Sequence, residues 1–313
     1  MKLYQNTLTG YRYKRWTLKE TINYFLKGVA RELKLHFFHN YFVKKEAELF
    51  KHRWLKRNGK NSLFDFNGVK LPDISGNKEK LRTLKLVFED SFLFHCFYND
   101  RYDKRTVEYL DRLMMEGPYG YTDGAFDVTI KQNDIVIDVG AWIGDFSAYA
   151  VAKGAVCYAF EPTAETFGLL CETAKLNNPD DVEKGQIYPV RKGLGSAECE
   201  MNISISENNS GANKVTAESS DGTEKISITT LDRFVEENNL KRVDFIKADI
   251  EGFEREMLRG ATNVLKKFAP KLAICTYHLP DDPVVLENII KEANNSYIII
   301  RLRNKLLAAV IKG

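Results

Sequence analysis

Asp134-Ile135-Val136-Ile137-Asp138-Val139-Gly140-Ala141-Trp142-Ile143-Gly144-Asp145 decides the fold of this 313-residue chain. Its apolar run reads as a buried parallel strand. The two glycines mark a tight turn, and the residues from Gly144 onward read as the start of a helix. About twenty residues later, Val156-Cys157-Tyr158-Ala159-Phe160-Glu161-Pro162 is a second apolar run ending in a carboxylate. Strand, glycine turn, helix and acid-terminated strand form the nucleotide-binding half of a doubly wound sheet. Such a unit takes an adenosine-type cofactor, with the acid suited to the two ribose hydroxyls.

Outward from this block, strands are expected near 134–139, 156–160, 186–190, 243–249 and 271–277. Helices are expected near 144–153, 163–177, 253–267 and 283–294, with Asp282-Pro283 as N-cap and first helical residue. This alternation implies an α/β fold with a parallel sheet and helices on both faces. The runs Tyr297–Arg303 and Leu306–Ile311 are separated only by Asn304-Lys305, so they must pair antiparallel. A mostly parallel Rossmann-like sheet finished by a C-terminal hairpin is the layout of class I methyltransferases. Cys199–Ser206 and Lys225–Thr230 alternate like strands around a polar stretch, which reads as a flap beside the site or as a surface loop.

The N-terminal part differs. Residues 17–58 read as helical with breaks near Gly28 and Asn40, ending at Asn58-Gly59. Leu63–Leu71 contains Asn67-Gly68 and reads as a hairpin, followed by helices over 77–97 and 103–115 and a loop over Glu116–Tyr121. The expected division is a helical extension at 1–116 and a catalytic domain at 117–313. Residues 1–60 hold 15 Lys/Arg against 4 Asp/Glu, a net +11; the whole chain is +3, so the rest carries −8. The basic, aromatic arm suits an anionic lipid or a nucleotide-linked substrate, with nucleic acid not the expected partner, or a packed surface between copies in a homo-oligomer. Five scattered cysteines without a CxxC pair argue against a disulfide frame or zinc site. With no long apolar span, the expected location is the cytoplasm, either free or at the periphery of a membrane.

Two further blocks carry chemistry. Val243-Asp244-Phe245-Ile246-Lys247-Ala248-Asp249-Ile250-Glu251-Gly252-Phe253-Glu254 places Asp249 at the carboxyl edge of a buried strand, where α/β sheets hold ligands. Glu251 and Glu254 near the next helix start could be explained by the helix dipole alone. Ile274-Cys275-Thr276-Tyr277-His278 ends the fifth strand at the same edge. His278 is a candidate general base for a hydroxyl, or a strand-end histidine bonded to backbone. With Asp249 it could instead hold a divalent cation. Trp142 stands where the dinucleotide fingerprint needs its second glycine, which disfavours a pyrophosphate cofactor.

Asp138-Val139-Gly140-Ala141-x-Ile143-Gly144-Asp145, Phe160-Glu161-Pro162, Thr230-Leu231-Asp232 and Ile246-Lys247-x-Asp249-x-Glu251-Gly252-x-Glu254 together resemble FkbM-family methyltransferases. The resemblance spans roughly 117–280 and implies a class I, S-adenosylmethionine-dependent enzyme. It further implies O-methylation of a small-molecule or glycan acceptor. By it, Asp138, Gly140, Ala141, Gly144 and Asp145 belong to the cofactor tail site. Glu161 and Pro162 belong to the ribose, and Lys192 and Gly193 to the adenine. Tyr119 would cover the cofactor or be a packed loop aromatic. Asp249 would sit beside the reacting centre, with His278 and Glu251 as its catalytic companions. Position 142, often Asn in the family, is Trp here. The rival readings are a nicotinamide-dependent oxidoreductase and a catalytically silent scaffold.

Overall fold

The computed structural model describes residues 17–88, 119–180, 185–204, 214–216 and 223–311. The helix expected over 103–115, the end of the one over 77–97 and the expected boundary at 116–117 lie outside them. So does most of the polar stretch within the insertion. The chain forms two compact units. The first comprises residues 1–67 and 73–100, and the second residues 68–72 and 101–313.

In the first unit, helix α1 (Leu18–Glu32) starts at Thr17, whose hydroxyl accepts from Glu20 N while Glu20 reaches back to Thr17 N. The break falls at Leu33–Leu35 rather than at Gly28 or Asn40. Lys34 takes φ 56° and Leu35 N donates to Ala30 O at 2.8 Å, which closes the helix end. Gly28 stays buried inside α1, and Asn40 lies within α2 (His36–Trp54). The two helices are joined by Asn23 to Phe42 O at 2.9 Å and by Lys27–Glu46 at 2.7 Å. Residues Leu55–Asn58, expected to be helical, form strand β1 and pair antiparallel with β2 (Asn61–Phe66). Pairing of Leu55 with Phe64 overrides local propensity. Gly59, at φ 60°, is the hairpin turn rather than a helix cap. Phe50, Trp54, Phe64, Phe66 and Phe88 pack as an aromatic core, with Trp54 and Phe88 centroids 4.5 Å apart. Phe37, Phe38 and Tyr41 of the same arm stay exposed. Asn67 and Gly68 both take positive φ at the turn expected from their sequence. Helix α3 covers Lys78–Val87.

The second unit is built on a seven-stranded sheet. In chain order its strands are β6 (Ile135–Val139), β7 (Val156–Phe160), β8 (Ile187–Val190), β13 (Phe245–Ala248), β14 (Lys271–Cys275), β15 (Ile298–Arg301) and β16 (Lys305–Ala309). Their spatial order is β15-β16-β14-β13-β6-β7-β8. The five strands from β14 to β8 are parallel, and β16 pairs antiparallel with both β14 and β15. This is the expected mostly parallel sheet with its C-terminal hairpin. Strands β13 and β14 are buried on both faces, which explains their continuous apolar runs. Helices α4 (Asp145–Ala152) and α5 (Ala164–Asn177) follow β6 and β7. Strand β3 (Val69–Pro72) docks on this unit: Asn177 accepts from Lys70 N at 3.0 Å and donates to Lys70 O at 2.6 Å. A two-stranded piece, β4 (Tyr121–Thr122) with β5 (Asp127–Val128), precedes the sheet.

A four-stranded sheet stands beside the main one, in the order β11-β10-β12-β9. Its strands are β9 (Gly193–Leu194), β10 (Cys199–Ser204), β11 (Lys214–Thr216) and β12 (Thr223–Thr229). Ile203, Ile226 and Ile228 form its small apolar core. Helix α6 (Leu231–Glu237) begins at Thr230, which caps it through Arg233 N. The helix expected over 253–267 is two: α7 (Glu254–Arg259) and α8 (Thr262–Lys267). Gly260 causes the break, because a Cβ there would lie on Gly195 O, at 1.9 Å. Asp232 then caps α8, accepting from Asn263 N and Val264 N at 2.9 Å each. The Thr230-Leu231-Asp232 motif is thus a pair of helix caps. Helix α9 (Asp282–Ala293) starts one residue earlier than expected, with Asp281 as N-cap; Asp282 is buried and accepts from Arg255 at 2.7 Å. Among the described residues no helix is long and apolar enough to cross a membrane.

Candidate active site

The turn after β6 takes its shape from positive φ at Gly140 (75°), Trp142 (49°) and Gly144 (87°). Gly140 has no alternative: a Cβ would meet Asp249 O at 2.1 Å. Gly140 N and Ala141 N donate to Phe160 O, at 3.1 and 2.9 Å, which locks the turn against β7. Trp142 holds a conformation that a large side chain rarely adopts and that Asn tolerates better.

Beneath the turn lies a buried charge cluster. Lys247 of β13 donates to Gly140 O at 2.8 Å and pairs with Asp138 at 3.1 Å. Asp138 also accepts from Ser147 at 2.6 Å. Burial works against the charge on Lys247, but Asp138, Asp249 and Asp145 outweigh it and raise its pKa. Asp145 is pushed up to about 6 by burial, which the attraction of Lys247 only partly offsets. Sequence reasoning gave Lys247 no role, although a lysine inside an otherwise apolar strand was the available signal.

Above the turn a cleft, open at its mouth, runs along the carboxyl edge of the sheet. Gly140, Trp142, Glu161, Pro162, Lys192 and Gly193 form one side, with Asp249 and Glu251 at another. Leu194, Ile203, Ile226, Ile228 and Phe253 give it an apolar wall. The inserted strands β10 and β12 therefore build part of the cleft. Asp138, Ala141, Gly144, Asp145 and Tyr119, expected at the cofactor, stand outside this lining. Asp138 and Ala141 are buried beneath the turn, and Gly144 faces Leu170 and Thr173 of α5.

Glu161 caps the end of β7 at the cleft floor, 8% exposed. Its Oε1 accepts from Thr163 N at 2.9 Å and Thr163 Oγ1 at 2.5 Å. Burial pushes its pKa up to about 7, although Thr163, the Trp142 amide and Lys247 pull it down. A buried carboxylate in this state gains from further donors.

At the far end, Asp249 is gripped by two tyrosines. Tyr119 donates to Oδ2 and Tyr277 to Oδ1, each at 3.0 Å. Tyr119 thus holds Asp249 and lies under the Lys305 ammonium, 4.5 Å from its ring centre. Of its two expected roles, a cover for the cofactor or a packed loop aromatic, its burial accords with packing. His278 joins this group: Nε2 is 3.4 Å from Asp249 and 3.7 Å from Glu251, and Nδ1 is 3.0 Å from Glu254. These are ion-pair distances, yet neither ring nitrogen meets hydrogen-bond geometry. Burial disfavours charge on the ring, but Glu251, Glu254 and Asp249 outweigh it and push its pKa up to about 10. A ring charged near neutral pH cannot accept a proton, which counts against the expected base role. Glu254 is fully buried and accepts from Ile250 N at 2.8 Å and Gly252 N at 3.0 Å. It holds the loop of its motif, a task the helix dipole alone does not describe. Glu251 sits in that loop at φ 56°.

Residues 138–297 match the model of the methyltransferase FkbM domain, about half of the chain. The chain is 31% identical over 172 residues to the hexuronic acid methyltransferase AglP of Haloferax volcanii, covering 55% of this chain and 67% of that protein. It is 27% identical over 163 residues to Methyltransferase 1 of Beauveria bassiana, covering 45% of this chain and 64% of the relative. Among solved structures it is similar to the methyltransferase FkbM of Methylobacillus flagellatus KT, with TM-score 0.47 and 19% identity. That match covers 74% of this chain and 55% of the other. The chain thus spans about two thirds of these curated relatives and little over half of that structure. A shared domain model, a relative 31% identical over two thirds of its length, and a glycine turn, Glu161 and Asp249 around one cleft lead to one conclusion: the chain belongs to the FkbM family of S-adenosylmethionine-dependent methyltransferases.

Proposed function

We propose that this protein transfers a methyl group from S-adenosylmethionine to a hydroxyl of a saccharide-containing acceptor. The observation that carries this reading is one cleft with Glu161 at its floor and Asp249 and Glu251 at its end. The residues fit the cofactor. Glu161 presents its carboxylate to the cleft, where its remaining lone pairs suit the ribose diol, and Leu194, Ile226, Ile228 and Phe253 offer apolar surface for a purine. Lys247 fixes the turn that would face the amino-acid tail.

When bound, S-adenosylmethionine supplies a methyl carbon made electrophilic by its sulfonium; sulfur keeps the electron pair of the broken bond as the acceptor oxygen takes the methyl. The chain's own task is to orient the acceptor and accept the hydroxyl proton. Asp249 and Glu251 both line the cleft, which supports a carboxylate there as the proton acceptor. Tyr119 and Tyr277 hold Asp249 in position, and Glu254 holds the loop carrying Glu251. The sugar acceptor is supported by the relative that acts on hexuronic acid. Methyl transfer to saccharides, followed with isotope-labelled cofactor, tests this reading; label appearing only on nitrogen or carbon would sink it.

A further inference from the structure

We propose that Asp249, Glu254 and His278 form a binding site for one divalent cation of the manganese class at the inner end of the cleft. One ligand atom from each of the three lies within 4.8 Å of the other two. Around an ion with metal–ligand bonds of about 2.1 Å, neighbouring ligand atoms stand roughly 3 Å apart and opposite ones roughly 4 Å. The ring offers one nitrogen to an ion: Nδ1 is 3.0 Å from Glu254 and Nε2 is 3.4 Å from Asp249, so one carboxylate already stands at ligand spacing and the other must close in on the same nitrogen from within 4.8 Å. Two carboxylates with one imidazole suit manganese.

A second observation points the same way. The His278 side chain is only 3% exposed, and both of its ring nitrogens lack a hydrogen bond. A buried polar ring left in that state is unfavourable, and ligation would remove the penalty. Three carboxylates, Asp249, Glu251 and Glu254, crowd this single ring. Lys247, bound to Gly140 O and paired with Asp138, offsets only part of the Asp249 charge. The cluster therefore carries an excess of negative charge that a divalent ion would balance.

The supporting groups are already set. Tyr119 and Tyr277 donate to Asp249, and Ile250 N and Gly252 N donate to Glu254. Each carboxylate oxygen keeps a lone pair for a cation, and such outer partners orient metal ligands. Three protein ligands leave positions open on a six-coordinate ion. Asp249 lines the cleft, so those positions would face the acceptor, where two neighbouring saccharide oxygens could bind. The assignment of those open positions rests on the proposed O-methyl transfer; cation binding itself does not.

The test is a titration of the full chain with MnCl2, without cofactor or acceptor, reading free Mn²⁺ by electron paramagnetic resonance. One bound Mn²⁺ per chain is expected, displaced by Mg²⁺. His278→Ala and Asp249→Asn should each weaken binding at least tenfold, while His278→Ala keeps the wild-type affinity for S-adenosylmethionine. That retained affinity shows that the variant is folded. Wild-type protein that takes up no Mn²⁺ at concentrations up to about 1 mM would overturn the site. So would equal uptake by wild type and a folded His278→Ala protein. Bound Mn²⁺ without methyl transfer to any saccharide would instead count against the proposed function and leave the cation site standing.

Discussion

Glu161 makes cofactor affinity depend on pH in a direction set by its burial. Its pKa stands at about 7 in the ligand-free protein. Ribose hydroxyls donate, so the carboxylate is the form that binds them. With a pKa of 7, about a tenth of the groups are ionised one unit below it, and affinity should fall roughly tenfold between pH 8 and pH 6, or about 1.4 kcal/mol. Binding should also release a proton near pH 6. Calorimetry at pH 6, 7 and 8, in two buffers of different ionisation enthalpy, reads both effects. Glu161→Gln should remove the pH dependence and weaken binding by about 1–3 kcal/mol at pH 8. The stability of the free protein should move oppositely. The folded pKa lies above the ordinary 4.5, so this group's contribution is full below that value and is lost as pH rises through 7. Affinity that is flat from pH 6 to 8, with no proton released, would refute the reasoning.

Other residues give separate tests. Lys247→Met removes the bond to Gly140 O and leaves Asp138 buried without its cation, so unfolding should be easier by about 3–5 kcal/mol in a denaturant titration. Gly140→Ala should abolish cofactor binding, because its Cβ would meet Asp249 O; a normal binding isotherm would show that the turn is not part of the site. Gly260→Ala forces α7 away from Gly195 and should lower stability by about 1–3 kcal/mol or more, read as a drop in Tm. His278→Ala should lower turnover with cofactor affinity intact, because the proposed cation site loses a ligand, and unchanged turnover would remove the histidine from the chemistry.

The central sheet was legible because parallel strands buried on both faces write long apolar runs, as Ile135–Val139 and Lys271–Cys275 do. The closing hairpin was legible because only two residues separate its apolar runs. Less visible was anything set by distant contacts. Leu55–Asn58 became a strand through its pairing with β2, and the break at Gly260 came from the approach of Gly195. In the site, Glu161, Lys192, Gly193, Asp249 and Glu251 could be placed by motif at the cleft they line. Tyr277 could not be assigned to Asp249, nor Lys247 to Gly140, since those bonds join residues 28 and 107 positions apart. Cys199–Ser206 and Lys225–Thr230 read as strands, but only the fold brings their isoleucines Ile203, Ile226 and Ile228 to the cleft wall.

Transfer of a deuterated methyl group is the most direct test. The protein would be incubated with S-adenosylmethionine labelled on its methyl and a set of saccharides that includes hexuronic acid glycans, and the products analysed by mass spectrometry and NMR. The account predicts a labelled methyl ether on a sugar oxygen, lost in Glu161→Gln and in Glu251→Gln. Label found on nitrogen or carbon, or an unlabelled acceptor set under conditions where the cofactor is bound, would contradict it.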